Sequence, residues 1–129
     1  MKRIGQMIGA ITLSLAVQSV FAADLGQDME TLENNYELFQ ETQNTQQALS
    51  ALTAMQKAVL DAKQSIPMKL IGQPDNSPEV LGYRKALDSL NTELTQTLAL
   101  VKAGNLQQAH EQAIPAIDSM RKTNHQKFR

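Results

Sequence analysis

The sequence predicts an all-α protein that folds as an up-down-up-down antiparallel four-helix bundle. Apolar residues recur at alternating steps of three and four along four stretches of the chain, which places them on one face of a helix. No stretch alternates with the two-residue period of a β-strand. Two of the connections are short and one is longer, which suits helices that pack antiparallel against their neighbours in the chain.

The sequence of residues 1–22 has the pattern of a secretory signal peptide. Lys2 and Arg3 give it a basic start, a mostly apolar segment follows over 4–20, and Ala22 is a small residue at the expected cleavage site. A retained membrane anchor is the weaker alternative, because glycines and glutamines make the segment less apolar than a spanning helix requires. We therefore expect an exported protein with a single mature domain over residues 23–129.

The composition excludes several classes of protein. Removing the signal peptide leaves 107 of the 129 residues, enough for one domain with a single core. Ten basic residues then stand against thirteen acidic ones, and the only basic cluster is at the C-terminus, so nothing indicates nucleic-acid binding. Because the chain has no cysteine, it has neither a disulfide framework nor a haem attached covalently through Cys-x-x-Cys-His.

The first two predicted helices run from Asp24 to about Glu41 and from about Gln46 to Gln64. A polar break separates them, and Asn44 or Thr45 can cap the second helix. All the charged residues of the first helix are acidic, and the early ones complement the partial positive charge of a helix N-terminus. Its apolar stripe consists of Leu25, Met29, Leu32, Tyr36 and Phe39.

The third predicted helix opens at Ser77, with Pro78 at its first position, and ends at Gly104. The fourth runs from a cap at Asn105 to Phe128. Pro115 lies inside it and would cost about 3 kcal/mol in a straight helix. We expect a kink near 113–115 or two shorter helices.

Met29 and His125 form a candidate ligand pair. In an up-down-up-down bundle the start of the first helix and the end of the last lie at the same end. Packed helix axes are about 8–10 Å apart, so a flat macrocycle between them would bring both side chains to one metal. Thioether and imidazole ligate haem iron in electron-transfer cytochromes. Alone, however, such residues are more often core filler or a helix cap, so the spacing permits this pair without selecting it.

Two alternatives stay open at this point. One is a haem-free periplasmic helical bundle that acts as a protein-binding or stress-adaptor module. The other is a transition-metal sink that uses His110, His125 and surface carboxylates, although fifteen helical positions separate these histidines by about 22 Å. We expect His110 itself to be solvated.

Three motifs carry a resemblance to a known family. They are Ala-Asp-Leu-x-x-x-Met-Glu-Thr-Leu at 23–32, the Ser-Pro-Glu that ends the long connection, and Arg-x-x-x-His-Gln-Lys-Phe-Arg at 121–129. Together with the signal peptide they resemble the soluble periplasmic cytochrome b562 family, whose members are four-helix bundles. The resemblance extends over essentially all of 23–129.

The resemblance implies an electron-transfer protein, not an enzyme, with one non-covalent haem b (iron protoporphyrin IX) per chain. It implies Met29 and His125 as the axial metal ligands and Arg121 and Arg129 as basic residues beside the haem. We also expect a monomer with a redox partner protein, no nucleic acid and no membrane after signal cleavage. The positions that would line the haem pocket are Leu32, Tyr36, Phe39, Tyr83 and Leu87.

Three positions depart from the family pattern. Tyr83 and Leu87 stand where phenylalanines line the haem in a familiar member, which would alter haem affinity or potential without removing the site. Pro115 is the larger departure, because the last helix of the family is usually uninterrupted.

Overall fold

The computed structural model describes the backbone of residues 21–128 and the side chains of residues 25–128. Over this range the chain is helical and has no β-strand, which confirms the predicted all-α class. Each helix packs against the next one in the chain, as in the predicted bundle. A 3-10 turn at Met68–Leu70 lies in the longest connection. The helices are α1 (Phe21–Glu41), α2 (Thr45–Ala62), α3 (Pro78–Lys102) and α4 (Leu106–Phe128).

The predicted signal peptide falls almost entirely outside the described residues. Residues 1–20 are not described, and α1 begins at Phe21, two residues before the predicted start of the mature chain. Arg129 also lies outside the described part. Within 21–128, no helix combines the length and apolar character needed to cross a membrane.

Two of the three predicted N-caps are confirmed, and the cap at Asn105 stays a prediction. The Asn44 side chain, not that of Thr45, accepts a hydrogen bond from the Gln47 amide at 2.9 Å. The Ser77 hydroxyl accepts one from the Val80 amide at 3.3 Å, and a proline follows Ser77 at the first helical position. Each cap binds an N–H group that has no acceptor inside its own helix.

Gly104 ends α3, as the sequence predicts. Its φ of +86° lies in the left-handed region, which glycine enters without a steric penalty. The Gly104 amide donates to the Val101 carbonyl at 3.0 Å, and the Asn105 amide donates to the Leu100 carbonyl at 2.9 Å. These two bonds form a Schellman motif and turn the chain directly into α4.

The expectation of two shorter helices around Pro115 is wrong, because α4 continues through this residue as one helix. Proline removes only one N–H from the ladder, whereas Ala113 and Ile117 on either side are buried at 0% and 4% exposure. Their burial keeps both halves of α4 against the same core. A bend at this turn stays a prediction.

The core is dense at one end of α1 and opens towards the other. Tyr36 and Phe39 are 3% and 0% exposed, whereas Leu25, Met29 and Leu32 are half-buried. The first half of α1 therefore packs less closely than the second. This loosely packed end contains the candidate site.

Candidate functional site

A cavity of about 720 Å³ lies at the end of the bundle where α1 begins and α4 ends. Its volume is typical of pockets that hold small molecules and cofactors, about 300–1,000 Å³. Its walls come from all four helices and from the turn in the α2–α3 connection. Most of the lining side chains are apolar, and charged groups occur at only a few positions.

Met29 and His125 both line this cavity. Met29 is half-buried on the apolar stripe of α1, whereas His125 is exposed on the last turns of α4. The structure therefore brings together two side chains that are almost a hundred residues apart in the chain. Metal ligation by this pair stays a prediction.

Most of the other predicted pocket residues line the same cavity, namely Leu32, Tyr36, Tyr83, Leu87 and Arg121. Phe39 does not line it. Phe39 lies three residues after Tyr36, about 4.5 Å farther along α1, where the helices pack closely and its side chain is fully buried. The structure therefore places Phe39 in the core next to the cavity.

His110 is not solvated, contrary to expectation. It is half-buried, and its ring packs edge-on against that of Phe39 with 4.8 Å between the centroids. Its Nε2 lies 2.7 Å from the Phe39 carbonyl oxygen and must donate, because a carbonyl can only accept. The Phe39 carbonyl is among the last four of α1, which accept no hydrogen bond from within the helix. His110 on α4 therefore caps the end of α1.

The metal-sink alternative finds no site in the part of the chain that the structure describes. No group of three or more His, Asp or Glu residues there has an arrangement that could hold a metal ion. His110 is bound to the Phe39 carbonyl, away from the cavity that His125 lines.

Tyr36 joins α1 to α4 beside the cavity. Its hydroxyl donates to the Asp118 carboxylate at 2.7 Å and also lies 3.0 Å from the Ile114 carbonyl oxygen. Burial raises the pKa of Tyr36 far above its ordinary value, and the hydrogen bond and negative charge of Asp118 raise it further. Tyr36 therefore stays a neutral phenol and tethers the two helices that carry Met29 and His125.

Arg121 lies at the rim of the cavity and packs over the ring of Tyr36, with 5.7 Å from its guanidinium carbon to the ring centroid. It forms a salt bridge with Glu33 and lies 4.0 Å from the carboxylate of Asp118. The salt bridge therefore places the basic end of α4 beside the acidic α1. A guanidinium has five N–H donors, more than Glu33 occupies, so Arg121 can bind a further anion.

The Tyr83 hydroxyl is used within the bundle. It donates to the Ala62 carbonyl at the end of α2, at 2.8 Å. Its ring meets that of Phe128 edge-on, with 5.5 Å between the centroids, one turn from His125. Burial raises the pKa of Tyr83 to about 12, the charge of Asp28 adds to this, and Arg84 opposes it. The predicted departure from phenylalanine at Tyr83 therefore keeps an aromatic ring in the cavity wall and adds a hydroxyl that binds the end of α2.

Three further methionines line the cavity and were not among the predicted site residues: Met55, Met68 and Met120. Helical periodicity places Met55 on the apolar stripe of α2 and leaves either Met120 or Arg121 on that of α4. Met68 lies in the α2–α3 connection, where no periodicity indicates which way a side chain points. Only the tertiary structure places Met68 at the cavity.

Comparisons with known proteins all indicate one family. The family model described as cytochrome b562 matches residues 24–129. The chain is similar to a probable soluble cytochrome b562 of Yersinia pestis, with 32% identity over 129 residues that cover all of both chains. It is also similar to a second probable soluble cytochrome b562 of Yersinia pestis, with 34% identity over 125 residues, 95% of this chain and 97% of the relative.

Proposed function

The chain belongs to the cytochrome b562 family, and on this basis we propose that it is a periplasmic electron-transfer protein that carries one non-covalently bound haem b. Because the family is one of small haem-containing electron carriers, we propose an electron carrier without enzymatic activity. We propose Met29 and His125 as the two axial ligands. The observation that carries this proposal is that both side chains line one cavity.

The residues present fit a haem group. The cavity has the volume of a cofactor pocket and mostly apolar walls, as a largely apolar macrocycle requires. Met29 offers a thioether and His125 an imidazole, both neutral donors that suit haem iron. With no cysteine in the chain, haem cannot be attached through thioether bonds, so we propose non-covalent binding.

The surrounding residues have distinct roles in this proposal. Leu32, Leu87 and Tyr83 form apolar walls that exclude water, which favours the less charged reduced state. Arg121 supplies a guanidinium at the rim, where a propionate could pair with it. When bound there, haem would supply reversible one-electron chemistry, and with both axial ligands from protein no position is left open for oxygen or substrate.

Periplasmic location rests on the predicted signal peptide, and a redox partner protein follows from the electron-carrier role. The two departures at Pro115 and Leu87 are the features of the sequence that would favour a haem-free binding module instead. Since α4 continues through Pro115 and Leu87 lines the cavity, no observation favours that alternative.

The direct test is titration of the purified mature apoprotein with haemin. We expect one haem per chain and the absorption spectrum of six-coordinate iron. His125→Ala should abolish stable binding or leave five-coordinate iron. His110→Ala is the matched control: it changes the chain's other histidine, which lies away from the cavity, and should keep the wild-type spectrum. An unchanged six-coordinate spectrum in His125→Ala would remove this histidine from the proposed site.

Met29 is tested by a nearly volume-conserving change. Met29→Leu removes the sulfur, so we expect weaker haem binding and a lower reduction potential, because the thioether favours Fe(II). Met120→Leu makes the same change elsewhere in the cavity wall and should leave the potential unchanged. Equal potentials in Met29→Leu and wild-type protein would exclude Met29 as a ligand.

A further inference from the structure

Every methionine in the described part of the chain lines the cavity described above. The chain has six methionines, of which Met1 and Met7 fall in the predicted signal peptide. The other four come from four different elements: Met29 from α1, Met55 from α2, Met68 from the α2–α3 connection and Met120 from α4. The proposed haem site uses only the first of them.

Packing explains only part of this arrangement. Met55 is 1% exposed and fills the core, which is the usual role of a methionine. Met68 is 81% exposed, so it fills no gap. Met29 and Met120 are half-buried on the neighbouring helices α1 and α4, and both line the cavity.

The α2–α3 connection is held against the end of α4. Leu70 anchors it in the core at 3% exposure, and the Lys69 ammonium donates to the Lys127 carbonyl at 3.3 Å. Met68 precedes Lys69, and His125 lies two residues before Lys127. These contacts bring the connection that carries Met68 to the end of α4 that carries His125, and both residues line the cavity.

Thioethers are soft, neutral ligands that select Cu(I), and imidazole also suits copper. We propose that the cavity binds one Cu(I) ion through the sulfur atoms of Met29, Met68 and Met120 and the imidazole of His125. A methionine side chain has three rotatable bonds, so sulfurs from three elements can converge on one ion. Hard divalent cations have no equivalent site among residues 25–128, where no cluster of His, Asp or Glu could hold them.

This site does not depend on haem binding, but it shares Met29 and His125 with the proposed haem site. The two occupants therefore exclude each other. The ion enters and leaves as Cu(I), so no oxidant or reductant takes part in the binding itself.

The test is an anaerobic titration of the mature apoprotein with Cu(I) in the presence of a chromogenic Cu(I) chelator. We expect the protein to withdraw one equivalent of copper, and X-ray absorption to show sulfur scatterers at the bound ion. The Met68→Leu/Met120→Leu double variant should bind Cu(I) at least about tenfold more weakly, since even the loss of outer-shell groups costs this much. Its haem spectrum should stay that of the wild type, because both proposed axial ligands remain.

Ile71→Leu is the control, because Ile71 is 63% exposed in the same connection and does not line the cavity. It should bind Cu(I) as the wild type does. The proposal is overturned if the chelator retains all the copper, or if the double variant competes as well as the wild type. A protein that takes up Cu(I) but not haem would support this site and refute the proposed electron-carrier function, so the two failures are distinguishable.

Discussion

Replacing Tyr36 with phenylalanine removes one oxygen atom from the contact between α1 and α4. The side chain is 3% exposed, and its hydroxyl donates to Asp118 at 2.7 Å. The ring itself would keep its place in the core, so the substitution isolates the hydrogen bond. It tests whether this bond holds together the two helices that carry Met29 and His125.

The expected cost follows from the two partners. A hydrogen bond to an ionised group contributes about 1.5–3 kcal/mol. The Asp118 side chain is 49% exposed, so water can replace the phenol and the loss falls to about 1–2 kcal/mol. In a domain of this size each kcal/mol corresponds to about 4–8 °C in Tm.

The assay is urea unfolding of the apoprotein, followed by far-ultraviolet circular dichroism. Tyr36→Phe should lower the free energy of unfolding without changing the dependence on urea concentration, because the area exposed on unfolding is the same. Tyr83→Phe is the matched control: its hydroxyl donates to the neutral carbonyl of Ala62, so we expect a smaller loss of about 1 kcal/mol.

A double-mutant cycle separates this bond from other effects. Asp118→Ala should cost less in the Tyr36→Phe background than in the wild type, because the shared interaction is already lost. If the two changes are additive, or if Tyr36→Phe leaves the unfolding free energy within about 0.5 kcal/mol of the wild type, the tether between the helices contributes no stability.

Three further predictions concern stability. Burial raises the pKa of Tyr83 to about 12 and that of Tyr36 still higher, so above pH 10 the unfolded chain releases protons that the folded chain keeps. The free energy of unfolding should therefore be highest below pH 10 and fall as the pH rises towards 12. Urea unfolding should show a smaller fall with pH in Tyr83→Phe than in the wild type. Asn44→Ala removes the cap on the Gln47 amide and should cost about 1 kcal/mol by the same assay, whereas Asn44→Asp should restore it. Phe39→Ala empties a fully buried position and should cost about 3–5 kcal/mol; a loss under about 1 kcal/mol would show that the core there collapses freely.

Much of the fold could be predicted because the signals are local. The stripes of α1 and α3 depend only on helical periodicity, and the ends at Asn44, Ser77 and Gly104 depend on a few neighbouring residues. Pro115 shows the limit of local reasoning. Its intrinsic cost indicates a break, but the burial of the residues on either side outweighs it and α4 continues.

The site could be predicted only where its residues lie on regular stripes or in motifs. Met29 and His125 have such positions, and the structure brings them to one cavity. His110 was misassigned because its contact with Phe39 joins residues 71 positions apart, and no local pattern reports that carbonyl. Met68 lies in an aperiodic connection, so its place at the cavity depends on the packing of Leu70 and on the bond from Lys69.

The sequence by itself therefore determined four amphipathic helices, the caps at Asn44, Ser77 and Gly104, and the presence of a thioether and an imidazole near the two ends of the mature chain. The tertiary structure decided which side chains share a space. It placed every methionine of the described residues around one cavity, joined α1 to α4 through the hydrogen bond of Tyr36 and buried the Phe39 side chain in the core. The physical reason is that periodicity and capping act over one or two helical turns, whereas a cavity exists only where helices distant in the chain fail to close against each other.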